Sequence, residues 1–189
     1  MIEKIYKLSH LCTDSSFVDW RINEIMHLTH HSIAPIYFEK NNDNLIRKTK
    51  RIYIKPISYG KLSEEQINQL SNFLDEIHKI NLVHGDINKK NLFLDKNDNI
   101  ILLDWEPCLN QIINNKYSLM GTPPWIDIED KINQTLTIRT DLLCFYRIIS
   151  NNSLSFFKSK VWFNLLNSSL LNHKPFTYLT NQFFLKELI

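Results

Sequence analysis

Apolar and charged positions alternate at the start of the chain, in IEKIYKL, and this period of two predicts a strand. The spacing then becomes helical. Val18, Ile22 and Ile25 fall on one face of SSFVDWRINEIMHLTHH, and Asp14 is placed to cap its start. Pro35 marks the stop. PIYFEK and RIYIKPI read as two further strands, with NNDN as a turn between them and Tyr59-Gly60 closing the second. The clearest helix follows: Ser63 and Gln66 form a capping box, and Ile67, Leu70, Leu74, Ile77 and Ile80 make its apolar stripe. NLFLD and IILLD are short apolar strands joined by the turn KNDN. A long irregular loop is expected after Asp104, reaching GTPPW. DLLCFYRII, apolar on nearly all sides, reads as a buried helix. The tail reads as two or three amphipathic helices, with Phe156, Phe157, Trp162, Phe183 and Phe184 packing the core. The order is strand-rich first and mostly helical afterwards. That is an α+β chain with a boundary near Gly60 to Ser63.

Composition sharpens this only a little. The chain has 189 residues, of which 43% are hydrophobic, enough for a core in one domain or in two small lobes sharing a cleft. Lys plus Arg total 22 and Asp plus Glu 20, so a net charge of +2 offers no electrostatic case for nucleic acid or a membrane surface. Cys12, Cys108 and Cys144 are odd in number and far apart, which suits free thiols in a reducing compartment. MIEKIYKLSH is too charged for a signal-peptide core, and no apolar run is long enough to span a bilayer. The expected place of work is the cytosol, or a host cytosol if the protein is exported as an effector.

The chemistry concentrates in LVHGDINKKNLFLDKNDNIILLDWEP. Asp86 and Asn91 stand in the spacing His-x-Asp-x-x-x-x-Asn, and a hairpin then returns the chain so that Asp104 shares their cleft. Two carboxylates and an amide oxygen are hard ligands suited to Mg²⁺, which keeps positions open for phosphate oxygens. A carboxylate left free of metal can accept a hydroxyl proton. Together these parts suit phosphoryl transfer, in which positioning and charge neutralisation supply most of the rate. The competing reading of Asp86 and Asn91 is a polar turn whose side chains bond the backbone. His27, His30 and His31 crowd one helix end, where they complement the terminus rather than hold a metal.

These residues carry a resemblance. HGDINKKN resembles the catalytic loop of protein kinases, and DWE takes the place of their Asp-Phe-Gly. GTPPWIDIE is similar to that family's Gly-Thr-x-x-Tyr-x-x-Pro-Glu, with Trp125 for Tyr, Ile128 for Pro and Glu129 kept. DLLCFY is similar to Asp-x-Trp-x-x-Gly, with Asp141 kept. The likeness is good from about Gly60 to Ser150 and poor outside. It implies a bilobal kinase-like fold, with residues 1–62 as a reduced N-lobe and 63–189 as a helical C-lobe. Asp86 would be the catalytic base, and Asn91 and Asp104 would hold Mg²⁺. His84 and Asp141 would brace the catalytic loop. Glu129 would seek an arginine, but none follows Arg147, so Lys158, Lys160 or Lys174 would replace it.

The departures matter as much. The glycines are Gly60, Gly85 and Gly121, so a Gly-rich phosphate loop cannot precede the first helix. The family's nucleotide-gripping lysine maps to Lys7 or Lys4, which face opposite sides of the strand; Lys7 is preferred, with Glu24 as partner and Asp19 as the alternative. Lys7, Glu24, Asn91 and Asp104 would thus bind ATP. Gly85 replaces an arginine that reads a phosphorylated activation loop, and Asn88 stands where serine/threonine kinases carry lysine. HGD and DWE also occur in small-molecule kinases. The resemblance implies an ATP- and Mg²⁺-dependent kinase acting on Ser/Thr hydroxyls of a protein substrate, similar to compact bacterial or phage kinases. The alternatives are a pseudokinase binding module and a kinase for a sugar or metabolite. A reduced N-lobe would also leave a sheet edge for a partner protein or a dimer mate to cover.

Overall fold

The computed structural model of the chain describes residues 2–11, 14–28, 30–57, 62–105, 110–113, 116–119, 128–133 and 136–150. The fold is α+β. A first antiparallel sheet holds β1 (Ile2–Lys7), β2 (Ile36–Asn41) and β3 (Asn44–Thr49), in the order β1-β3-β2. Asn41 pairs with Asn44, so NNDN is indeed the turn, but pairing starts immediately on both sides of it. The second strand of this hairpin is therefore NLIRKT rather than the expected RIYIKPI. Of RIYIKPI only Lys55–Pro56 (β4) pairs at all, against the strand of the second sheet that begins at Leu92. A proline cannot donate to a ladder, which fits its place at an edge.

Between β1 and β2 runs α1 (Ser15–His27), whose first turn is closed by Asp14 accepting the Ser16 N–H at 2.6 Å. Its buried face is Val18, Arg21 and Ile25, not the purely apolar stripe expected. α2 (Glu64–Lys79) begins with the expected reciprocal cap: Ser63 N–H to Gln66 Oε1 at 3.1 Å and Gln66 N–H to Ser63 Oγ at 3.2 Å. It buries Ile67, Leu70, Phe73, Leu74 and Ile77, while Ile80, past its end, is left partly exposed.

The second sheet is β4-β5-β6, with β5 at Leu92–Leu94 and β6 at Ile100–Leu102. Asp95 folds the turn between them by accepting the N–H groups of Asn97 and Asn99. The two halves of the described chain are joined by backbone, since Leu102 N–H donates to Ser32 O at 2.7 Å. One apolar core runs from Ile25 and Ile36 through α2 to β6, Trp105 and Phe145. Each such side chain contributes about 1.5–3 kcal/mol by leaving water.

The stretch expected to be irregular after Asp104 contains a hairpin, β7 (Asn110–Ile113) with β8 (Lys116–Leu119). α3 (Ile128–Asn133) and α4 (Ile138–Ser150) follow. Cys144, on α4, is a buried free thiol whose pKa is pushed up by burial. Cys12, Cys108, the boundary at 58–61, most of GTPPWIDIE and the whole tail lie outside the described residues. Among those residues, no helix is long and apolar enough to cross a membrane.

Candidate active site

The site is assembled from α4 outward. Asp141 lies in the first turn of α4 and is fully buried. It accepts the His84 N–H at 2.9 Å, the Gly85 N–H at 2.7 Å and the His78 Nε2–H at 2.9 Å. Burial pulls its carboxyl upward, yet the His78 bond, the His78 and His84 rings and the Gly85 amide outweigh burial and hold it below the usual range. Asp130 fixes the helix that carries it, accepting Thr137 N–H and Oγ1–H and the Thr140 hydroxyl at 2.6–2.8 Å. The side chain of Glu129, expected to seek a basic partner, lies outside the described residues.

The two amides held by Asp141 open the segment 84–91. Gly85 has φ +84, and a Cβ built there would stand 2.4 Å from Leu136 Cδ1. The conformation favours glycine at this position, while the Leu136 side-chain end that a Cβ would meet can shift. His84 is buried, and its Nδ1 accepts the Asp86 N–H at 3.1 Å. Its Nε2 must then be the protonated nitrogen, and it donates to Leu103 O at 3.0 Å. Burial drives its pKa down, so the ring is neutral.

Asp86 is held at both carboxylate oxygens. Asn88 Nδ2 donates to Oδ1 at 3.1 Å, and Asn91 Nδ2 donates to Oδ2 at 3.0 Å and to Asp86 O at 2.8 Å. Asn91 therefore uses its nitrogen on Asp86, which leaves Oδ1 as its atom for a cation. Asn91 O in turn accepts the Leu103 N–H at 2.8 Å. Both backbone groups of Leu103 are claimed by this segment, and the next residue is Asp104. That brings Asp86, Asn91 and Asp104 to one corner. Asp104 itself has φ +66, a left-handed backbone that Asp tolerates better than most residues.

Asp104 meets two cations. Lys4 Nζ lies 3.4 Å and Arg47 Nη1 3.2 Å from its Oδ1. Burial raises its pKa, but Lys4 first and Arg47 next outweigh that and hold the carboxyl below its usual range. Of the two lysines weighed on β1, the structure brings Lys4 to Asp104, whereas Lys7 is exposed at the strand end opposite Asn44. No ion pair joins Lys7 to Glu24 among the described residues. Glu24 is half-buried on α1, and Asp19, the alternative partner, pairs with Lys40 instead.

Sequence reading missed two arginines. Arg21, buried on α1, donates to Val83 O at 2.6 Å and His84 O at 3.3 Å, tying the helix to the start of the loop. The signal was its place between Val18 and Ile25 on the apolar stripe. Arg47 was hidden because its strand was sought after residue 50. The residues could hold a divalent cation through Asp104 and Asn91 Oδ1, a donor set of the hard kind that Mg²⁺ prefers. Among the described residues no group of three or more His, Cys, Asp or Glu could hold a metal ion.

Residues 52–119 match the lipopolysaccharide kinase (Kdo/WaaP) family. The chain is also 34% identical over 79 residues to a probable serine/threonine-protein kinase KIN1 homolog of Encephalitozoon cuniculi (strain GB-M1). That stretch is 40% of this chain and 13% of the other, so the chain matches only a small fraction of that relative's length. The first match includes the whole segment from His84 to Asp104.

Proposed function

We propose, from the chain's place in the protein kinase-like superfamily, that it is a phosphotransferase that moves a phosphoryl group from ATP to a hydroxyl, with a protein Ser/Thr as acceptor. The observation that supports this reading is the bonded frame of Asp86, Asn91 and Leu103, in which Asp86 would be the proton acceptor and Asn91 and the following Asp104 the metal ligands. Asp104 and Asn91 would hold Mg²⁺, which would neutralise charge on the phosphates of the ATP that gives up the phosphoryl group. Asp86, whose oxygens accept N–H groups of Asn88 and Asn91, is oriented by them to take the acceptor's hydroxyl proton. Lys4 supplies positive charge on the nucleotide side. Asn88, in place of a lysine, serves Asp86 rather than the transferred group.

The match to lipopolysaccharide kinases supports a second reading, in which the acceptor is a sugar hydroxyl of a glycan. One experiment separates the two. The full chain is incubated with labelled ATP and Mg²⁺ and offered a protein lysate or purified glycans. Transfer to protein, lowered about 10²–10⁴-fold by Asp86→Asn, supports the first reading. Transfer to glycan alone supports the second. Equal background in wild type and Asp86→Asn with both acceptors would refute both.

A further inference from the structure

Two histidines fasten their own loops in the same way. His84 Nδ1 accepts the N–H of Asp86, two residues on, and His30 Nδ1 accepts the N–H of Ser32 at 3.1 Å. Each ring then carries its proton on Nε2. Both loops hold the end of β6. His84 Nε2 donates to Leu103 O, and Ser32 O accepts the Leu102 N–H in the backbone bond that joins the halves of the described chain. The surroundings of the two rings differ. His84 is enclosed, whereas His30 borders an open cavity of about 420 Å³ beside α2. Its Nε2 lies 3.7 Å from Glu76 Oε2, and its ring meets His31 at 4.1 Å and Phe73 at 4.8 Å. Asp75 and Lys79 line the same cavity, and Asp95, in the turn after β5, feels the charge of His31. On its other side the ring shares a smaller cavity with Ile25, Met26 and Leu28. A proton can therefore reach His30 and find the Glu76 carboxylate beside it. Once protonated, Nδ1 is a donor and can no longer accept from Ser32. Ser32 is wholly enclosed, so its amide has no solvent to turn to.

We propose that His30 is a proton-operated clasp on the joint between the first half of the chain and β6. Neutral, it pins Ser32 and with it the Leu102 bond. Protonated, it releases Ser32, turns to Glu76 and loosens the joint two residues before Asp104. Burial, then His31, hold its pKa below 6.5 against the pull of Glu76, so the clasp is closed at neutral pH and opens in mild acid. Arg21 and the apolar core still bind the halves, so opening loosens the joint without unfolding the chain. The clasp goes beyond the phosphotransferase reading and does not depend on it.

Amide hydrogen exchange of the full chain tests it, read residue by residue by NMR at pH 7.5 and 5.5 and corrected for the chemical exchange rate at each pH. In wild type the Ser32 and Leu102 amides should lose about three- to tenfold in protection in acid, the range of one hydrogen bond given up. The Leu103 amide, held by Asn91 O, should keep its own. His30→Asn offers an acceptor that does not titrate, and its Ser32 and Leu102 amides should be equally protected at both pH values. His30→Ala offers none, and at pH 7.5 it should protect them no better than wild type does at pH 5.5. Wild-type protection of Leu102 that is the same at both pH values overturns the proposal. So does a fall that Leu103 shares equally, or one that persists in His30→Asn. Should His30→Ala fail to fold, wild type and His30→Asn decide alone.

Discussion

Asp141 and Asp104 are the same residue type in two surroundings. Asp141 is sealed in the core, and two of the three hydrogens it accepts come from backbone amides that cannot leave. Asp104 is 38% exposed, and its partners are the ends of two long side chains that can swing aside. Both carboxyls are held below their usual range, so the lowered pKa does not tell structure from chemistry. What tells them apart is whether the partners are exchangeable. A carboxylate saturated by amides is a fastener. A carboxylate neutralised by movable cations at a partly exposed position is available to a ligand.

The contrast can be broken by substitution. Asp141→Ala should cost the most, about 3–5 kcal/mol in urea denaturation, because it orphans two buried amides and His78 together. That is much of the roughly 5–15 kcal/mol a domain has. Gly85→Ala should follow at about 1–2 kcal/mol, mainly from a strained φ, with a smaller cost for shifting the end of the Leu136 side chain. Leu136→Ala should recover part of this in a double-mutant cycle. Acid should act next. His84 has its folded pKa depressed by burial from 6.5, against the pull of Asp141 and Asp86 and with the help of Arg21. The unfolded chain therefore binds the proton first, and stability should fall as pH drops below 6.5. His30, depressed by burial and then by His31, acts in the same direction. Denaturation midpoints between pH 7.5 and 5.5 should show a shallower slope in His84→Asn. Asp141 adds a later loss as pH falls below 3.8. The smallest effect belongs to Asp104→Asn, which should change stability by less than about 1 kcal/mol, since half-exposed ion pairs contribute little. A loss there as large as that for Asp141→Ala would erase the distinction between the two aspartates.

Much of the frame could be read from local signals. The Ser63–Gln66 box, the α2 stripe and the turn after Leu94 depend on residues close in sequence, and they formed as expected except that the stripe takes in Phe73 and leaves out Ile80. The Asp86–Asn91 spacing and the returning hairpin likewise brought both residues to the corner before Asp104. What escaped were long-range choices. RIYIKPI alternates as well as NLIRKT does, and only the tight turn at Asn42-Asp43 gives the ladder to NLIRKT. Strand parity said that one of Lys4 and Lys7 faces the cleft, but not which, because that depends on how β1 docks on β3. Arg21 was passed over: its place on the apolar stripe was visible, but the carbonyls of residues 83 and 84 that it meets were not.

Trp105 fixes how this corner can behave. Its indole is wholly enclosed, lies edge-on to Phe73 and His84, and donates to Leu102 O at 3.0 Å. Together with the two clasps on Leu103, it ties residues 102–105 to His84 and Asn91. Swivelling Asp104 outward to silence the molecule would drag the largest ring of the core into water and tear both clasps. Throttling by that route is therefore expensive, and on the proposed phosphotransferase reading the rate should follow what docks against the sheet of β1 to β3 rather than a toggle at the aspartate.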